Sequence, residues 1–389
     1  MSALIAGYAR TPFARFNGAL GTVSGTALGA HAAAAALERA GISADQVQRV
    51  FAGQVLQGGA GQNPARQSAV GAGIGFNVPA LTLNAVCLSG TEAVVAGTRM
   101  IDAGEADVVV AIGQESMSLA PHVQRARAGT KYGAIELIDT LEFDGLTDAF
   151  EKRSMGSSTE DGNTAMGITR AEQDEFSARS HQLAAAAAEF HAGEIAPFTI
   201  TSRRGDTVVS ADDGIRADTT VDSLGKLRPA FSKEGTITAG NASQITDGAA
   251  AVVLVSKAAA ERLGLKPIAE IVSHALVAGP DVLLHEQPAN AILAALEGTG
   301  IAPADLKAVE INEAFAAVGV RSTAKLGIDP GIVNAKGGAI ALGHPIGASG
   351  ARIVGTLARQ LAELGAGSVG ATGICGGGGQ GSAVVLRAL

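Results

Sequence analysis

The chain has little that could cross-link it, anchor it in a membrane or draw it to a polyanion. Two cysteines in 389 residues cannot build a disulfide framework, nor a zinc site unaided, so no metal centre is expected and a reducing compartment, the cytoplasm, is. No apolar run reaches the roughly 18 residues a membrane span needs. The opening ALIAGYARTPF has neither the basic n-region nor the apolar h-region of a signal peptide, and the closing VVLRAL matches no retention or peroxisomal tripeptide. Only 17% of the residues are charged and the net charge is −8, which argues against a nucleic-acid surface and gives no pull toward anionic membranes. A phosphate-bearing ligand would have to be met by local Lys or Arg, or by backbone amides. No strand, glycine-rich turn and helix carry a dinucleotide phosphate fingerprint, which leaves a nicotinamide-dependent oxidoreductase without support.

What is abundant is apolar residues and glycine. At 47% apolar the chain can bury a sizeable core and is too hydrophobic for disorder. Its length exceeds what one compact core organises, so two or three domains are expected. Glycine numbers 52, about 13% against an ordinary ~7%, and it clusters. Strand-like runs alternate with helical patterns, which points to parallel sheets with crossover helices. An internal echo runs through them. ALERAGISADQVQRVFAG (36–53) is answered by ALEGTGIAPADLKAVEIN (295–312), CLSGTEAVVAGTRMIDAGEADVVVAIG (87–113) by HPIGASGARIVGTLARQLAELGAGSVGATG (344–373), and DGAAAVVLVS (247–256) by GQGSAVVLRAL (379–389). The preserved order predicts a duplicated α/β core about a pseudo-twofold axis.

The copies differ in one informative place. In the second, the strand at 368–374 reaches its closing strand through a short CGGGGQG turn, whereas the first has a long gap there. The expected organisation is therefore an N-terminal domain of residues 1–116 plus 245–266, an inserted loop domain of 117–244 and a C-terminal domain of 267–389. Insertions at strand carboxyl ends build ligand sites, so the inserted segment is expected to cover substrate. It carries a helix starting at TRAEQ, where Thr169 and Glu172 form a capping-box pattern.

Cys87 follows the apolar run ALTLNAV and precedes the helical LSGTEAVVAGTRMIDAG. At a strand-to-helix junction, free amides and the helix dipole favour a thiolate; a buried, inert thiol is the competing reading. In the echo, His344 occupies the slot of Cys87, so the two turns are expected to face one crevice. Five glycines between 337 and 350 permit close backbone approach to a ligand, and a histidine beside a cysteine raises its thiolate fraction. Cys375, in ATGICGGGGQG, is expected to present an unscreened thiol able to shuttle protons, among amides that can form an oxyanion hole. Asn312, after the strand AVEI, serves equally as a helix N-cap or as a holder of water or a carbonyl oxygen. The remaining histidines at 122, 181, 191, 274 and 285 are assigned to surface or structural duty.

Taken together, VCLSG around Cys87, NEAF at 312–315, GGAIALGHPIGASGAR at 337–352 and the terminal CGGGGQG resemble the thiolase family. The likeness runs in order through GLTDAF (145–150), KLRPAF (226–231) and ITAGNASQITDGAA (237–250), and lies closest to the acetyl-CoA acetyltransferase branch. The resemblance implies a five-layered α-β-α-β-α thiolase fold. It makes Cys87 the acylated nucleophile, His344 its activator, and Cys375 the group that moves the α-proton of the second acyl chain. Asn312 would hold a water that stabilises the enolate together with His344, and the amides of Cys87 and Gly377 would form the oxyanion hole of the acyl-enzyme. Coenzyme A contacts carry over to Leu146, Met155, Arg216, Ser223, Ala230, Phe231, Ser243 and Leu284. Each of these has a plainer role open to it: Arg216 as a solvated surface cation, Ser243 as a loop hydroxyl, Met155 and Phe231 as core packing. One departure is visible, since Ser154-Met155-Gly156 stands where short-chain members often carry His-Met-Gly.

The resemblance further implies an enzyme that needs no cofactor beyond coenzyme A itself, which is its substrate, and a homo-oligomer, dimer or tetramer. A ketoacyl-synthase-like condensing enzyme shares the duplicated core and the nucleophilic cysteine, but typically carries His or Asn where Cys375 stands. A non-catalytic acyl-CoA binder would not need both cysteines and His344.

Overall fold

The computed structural model describes residues 2–203 and 205–389. The first half runs β1 (Leu4–Arg10), α1 (Gly25–Ala40), β2 (Arg49–Gly53), α2 (Pro64–Gly71), β3 (Ala80–Leu83), α3 (Ser89–Asp102) and β4 (Val108–Glu115). A long segment containing α4 (Met155–Met166) and α5 (Arg170–Ala186) intervenes before β5 (Thr246–Val255) closes the unit. The second half then repeats the order with β6 (Ala269–Ala278), α6 (Gln287–Leu296), β7 (Ala308–Ile311), α7 (Ala316–Leu326), the single turn α8 (Ala339–Leu342), α9 (Ser349–Leu364), β8 (Val369–Gly376) and β9 (Gln380–Ala388).

Local chemistry sets these boundaries. Ser24 caps α1 by accepting from the Ala27 amide, and Gly41 ends it at φ 68°, a left-handed position that suits glycine. Thr169 and Glu172 form the expected capping box at the start of α5. β4 and β5 are buried at every residue, which is why VVVAI and AAAVVLV read as unbroken apolar runs and not as an alternation.

The strands join in the order β7-β8-β9-β6-β1-β5-β4-β2-β3. The two halves meet at β1 and β6, which share only Leu4↔Glu270 and Ile5↔Ala269, so the sheet divides there into two. The sheets are mixed, which corrects the expectation of parallel ones. β2 pairs in parallel with β3 and β4, and β7 with β8, but β5 is antiparallel to both its neighbours and β9 to both of its own.

Five layers result. α1 and α2 cover the outer face of the first sheet through Leu28, Ala32 and Ala36 against Val110 and Val253. α3 and α9 lie between the sheets, their Val94, Val354 and Leu357 packed with Val252 and Val384. The second sheet's outer face is covered by Ile292 of α6 and Val318 of α7, against Ala371 and Val385. The central helices approach very closely: a Cβ on Gly350 would stand 2.3 Å from the Thr91 amide nitrogen, and one on Gly90 2.6 Å from that of Ala351.

The superposable helix starts also revise the register of the echo. α3 begins Leu88-Ser89-Gly90 and α9 begins Ala348-Ser349-Gly350. Cys87 therefore matches Gly347, and His344 lies three residues upstream of the slot expected for it. Within the inserted segment, α5 packs on α7 and α8, which fastens it to the second half. Among the described residues no helix is long and apolar enough to cross a membrane.

Candidate active site

Cys87 sits on a strained elbow. Val86, immediately before it, has φ 52°, a left-handed conformation that a β-branched residue adopts only under constraint. The constraint is Ser89, whose hydroxyl accepts from the Ala85 amide at 2.9 Å and donates to the Val86 carbonyl at 2.6 Å. The turn after β8 closes against this elbow. A Cβ on Gly376 would meet Leu88 Cγ at 2.9 Å, and Gly377 lies beside Val86 and Met155. As a result the amides of Cys87 and Gly377 both lie close enough to the Cys87 sulfur to favour its thiolate.

The thiol is nonetheless not acidified. Cys87 is 5% exposed and packs with Val55, Leu56, Met117 and Ile346; this desolvation outweighs the pull of the two nearby amides, the charge of Glu115 opposes ionisation further, and the pKa is pushed up to about 12. The helix-dipole expectation fails because α3 starts only at Ser89 and the thiol is sealed from water. Trapping of Cys87 by iodoacetamide is accordingly expected to quicken about tenfold per pH unit between roughly pH 7 and 10 with no plateau; mass spectrometry of the peptide bearing residue 87 checks this.

His344 is buried too, and its tautomer can be assigned from its partner. Nδ1 lies 2.6 Å from Ser349 Oγ, which in turn donates to the Pro345 carbonyl at 3.1 Å. With its own proton committed there, the hydroxyl accepts Nδ1–H, and the lone pair falls on Nε2. Nε2 is buried with no protein partner among the described residues. Burial and the cation of Arg352 hold the pKa down at about 3, so the imidazole is neutral and an acceptor throughout the physiological range. Arg352 is itself buried and paired with Glu310 at 2.8 Å.

Asn312 lies between β7 and α7, and both its amide atoms are buried without a protein partner. It is not an N-cap, because α7 begins at Ala316 with Phe315 in the cap position. Cys375 is likewise not unscreened. It is wholly buried near the end of β8, and burial, with the charge of a Cys87 thiolate, pushes its pKa up. Glycines 378 and 379, at φ 78° and 67°, turn the chain into β9 and leave the sulfur inside. That ionising Cys87 acts on Cys375 places the two thiols in one electrostatic environment.

A cavity of about 420 Å³ reaches His344 and is lined also by Leu146, Met155, Phe231 and Ser243; Cys87, Asn312 and Cys375 are not among its lining residues. Leu284 is buried beside Met155 and Gly377 at a small hollow behind it. Arg216, Ser223 and Ala230 are not brought to the cavity wall and are exposed. The Arg216 amide donates to His181 Nδ1, Ser223 completes the cap of a short helix with Thr220, and the Ala230 amide pairs with the Ile237 carbonyl. Ser154 lines the cavity and caps α4 by accepting from the Ser157 amide at 3.1 Å, so it orients the helix that presents Met155. The other predicted non-site histidines are structural or peripheral: His191 Nε2 meets the Lys336 carbonyl, His285 Nε2 the Asn163 side chain, and His122 is exposed.

Two buried residues that contact the turn of His344 were not singled out in the sequence. Ser349 was signalled by the Ser-Gly pair repeated at both helix starts. Glu115 was signalled by an acidic residue closing a strand that opens on the apolar run VVVAI.

Comparison with known proteins extends over the whole chain. The thiolase N-terminal domain matches residues 3–258 and the thiolase C-terminal domain residues 265–388. The sequence is 55% identical over 388 residues to a "Probable acetyl-CoA acetyltransferase" of Mycolicibacterium smegmatis, covering 99% of this chain and 100% of that one. It is 48% identical over 390 residues to the acetyl-CoA acetyltransferase of Rhizobium meliloti, covering 100% and 99%. The crystal structure of the Bacillus anthracis acetyl-CoA acetyltransferase superposes with a TM-score of 0.95 at 36% identity, covering 100% of this chain and 99% of that one.

Proposed function

The chain belongs to the thiolase family, and from that premise we propose that Cys87 carries the acyl group between coenzyme A thioesters. The protein is an acyltransferase acting on such thioesters, as its acetyl-CoA acetyltransferase relatives are. The observation that supports Cys87 as nucleophile is its place on a strained elbow against the Gly377 turn, in one cluster with the turn of His344, whose Nε2 has no protein partner among the described residues.

The chemistry follows from protonation states. Both thiols are protonated in the free enzyme, so attack on the thioester carbonyl is coupled to transfer of the Cys87 proton to His344 Nε2. The Cys87 and Gly377 amides then stabilise the carbonyl oxygen of the tetrahedral adduct and acyl-enzyme. The C–S bond to coenzyme A breaks, and the departing thiolate takes the proton of Cys375 while the proton from Cys87 stays on His344. In condensation, Cys375 as thiolate removes the α-proton of a second thioester. The enolate oxygen is met by His344 and by a water on Asn312, and the new C–C bond displaces Cys87 as a thiolate, which takes its proton back from His344. Thiolysis is the same path reversed.

Ser349→Ala is expected to lower kcat about 10–100-fold, the range for losing a ring-orienting hydrogen bond, with KM little changed. Steady-state kinetics and the ring-nitrogen NMR shifts of His344 check it.

Coenzyme A is taken as substrate with no other cofactor. Leu146, Met155, Phe231, Ser243 and Leu284 would contact the pantetheine and acyl portions, and Arg216, Ser223 and Ala230 the outer, nucleotide end. Two protonated, buried thiols suit a reducing cytoplasm, and dimeric or tetrameric assembly is proposed with it. The deciding assay is thiolysis of acetoacetyl-CoA and of a longer 3-ketoacyl-CoA by free coenzyme A, with condensation of acetyl-CoA in the absence of any carrier protein. Turnover that requires a carrier protein would transfer the proposal to a ketoacyl synthase.

A further inference from the structure

Three backbone amides from two distant segments converge on one carboxylate, that of Glu115 at the end of β4. Val55 N donates to Oε2 at 2.9 Å, Leu56 N to Oε1 at 3.1 Å and Gly347 N to Oε2 at 3.0 Å. The side chain is wholly buried. Desolvation raises its pKa to about 7, and Asp247, which itself accepts from the Ser118 amide and hydroxyl, adds repulsion. Holding a charge there is costly, and the three amides offset only part of that cost.

What the carboxylate holds gives the arrangement its meaning. Gly347 belongs to the turn of His344, and there is no slack around it: a Cβ would lie 2.7 Å from the Gln114 carbonyl and 2.9 Å from Glu115 Oε2. On the other side, the Val55 carbonyl accepts from Asn84 Nδ2 at 3.3 Å, and Asn84 Oδ1 accepts from the Val86 amide at 3.0 Å. An unbroken series of hydrogen bonds thus runs from the His344 turn through Glu115, Val55 and Asn84 to the residue before Cys87. It crosses the pseudo-twofold boundary, joining the first copy's nucleophile to the second copy's base.

We propose that Glu115 is a positioning residue for acyl transfer, its carboxylate fixing the His344 turn against the Cys87 elbow through the amides of Val55, Leu56 and Gly347. This rests on the acyl-transfer reading above. The same carboxylate sets its negative charge against the thiol, adding to the burial that opposes its ionisation, so one group bears on both the position and the ionisation of Cys87. The two effects have opposite signs when the charge is removed, and that separates a positioning role from a merely structural one.

Glu115→Gln keeps the size, removes the charge and sets an amide NH2 against one of the three donors. Thiolysis of acetoacetyl-CoA should lose about 30-fold or more in kcat, as for a displacement near 1 Å at a reacting pair, while KM stays within about threefold. Alkylation of Cys87 by iodoacetamide at about pH 8 should instead quicken by about threefold or more, because an opposing charge is gone. Unchanged turnover, or alkylation that slows together with turnover, overturns the assignment. Glu115→Asp covers the case in which the Gln variant does not fold. It keeps the charge but withdraws it by one methylene, so turnover should fall without faster alkylation, and full turnover overturns the assignment. The alkylation measurement uses no acyl-CoA and judges Glu115 by itself; absence of acetylation of wild-type Cys87 by acetyl-CoA would remove the acyl-transfer reading instead.

Discussion

Cys87→Ser should fold like the parent and lose at least about 10⁴-fold in kcat for thiolysis of acetoacetyl-CoA, the scale on which nucleophile replacements act. The fold should survive because serine differs from cysteine by one atom and the Cys87 and Gly377 amides that favour a thiolate there lie near enough to offset the burial of a hydroxyl. The chemistry should not, for two reasons. An alkoxide is far harder to generate than a thiolate, and the base proposed to act on it is an imidazole whose pKa is held near 3 by burial and by Arg352. A base so weak can take a proton only as the new S–C bond forms, which sulfur permits and oxygen at this site does not. Steady-state kinetics with free coenzyme A gives the rate, and digestion after exposure to labelled acetyl-CoA shows whether the peptide bearing residue 87 carries the label. Equal rates for the two proteins would remove Cys87 as the nucleophile.

The duplication was legible because it repeats sequence as well as shape, and so was the place of Cys87 at the end of an apolar run. The capping box at Thr169 was equally readable, since its two partners lie within one turn. Electrostatics was not legible. Whether a thiol at a helix start is acidified depends on how far water reaches it, and Val55, Met117 and Ile346 come from segments far apart in sequence. The register of the echo failed for a related reason. Two conspicuous residues, Cys87 and His344, invited alignment with each other, whereas the true correspondence lies in the unremarked Ser89-Gly90 and Ser349-Gly350. The aligned serines have diverged in what they grip, Ser89 holding the backbone before Cys87 and Ser349 the ring of His344. Glycine 376 misled in the same way, since glycines that suggest exposure in a sequence here admit Leu88 and close the site over Cys375.

Replacing the glycine at the heart of that correspondence should have the largest effect on stability. Gly350→Ala puts a methyl group 2.3 Å from the Thr91 amide nitrogen and 3.0 Å from the Gly90 carbonyl carbon. Both are backbone atoms of the facing helix, so no side chain can turn aside and the helices must part. Overpacking of this kind costs about 1–3 kcal/mol in cores that can adjust, and roughly 3 kcal/mol or more is expected where backbone meets backbone. Gly225→Ala, with nothing within 4 Å of the added carbon, is the matched control and should melt with the parent. The clash also bears on function, because Gly90 and Gly350 each lie three and six residues after Cys87 and His344 respectively. Parting α3 from α9 separates the elbow of one from the turn of the other, so any folded fraction of Gly350→Ala should turn over more slowly per molecule, measured against Cys87 titrated under denaturing conditions. Parental melting together with parental turnover would show that the two helix starts do not set the distance between nucleophile and base.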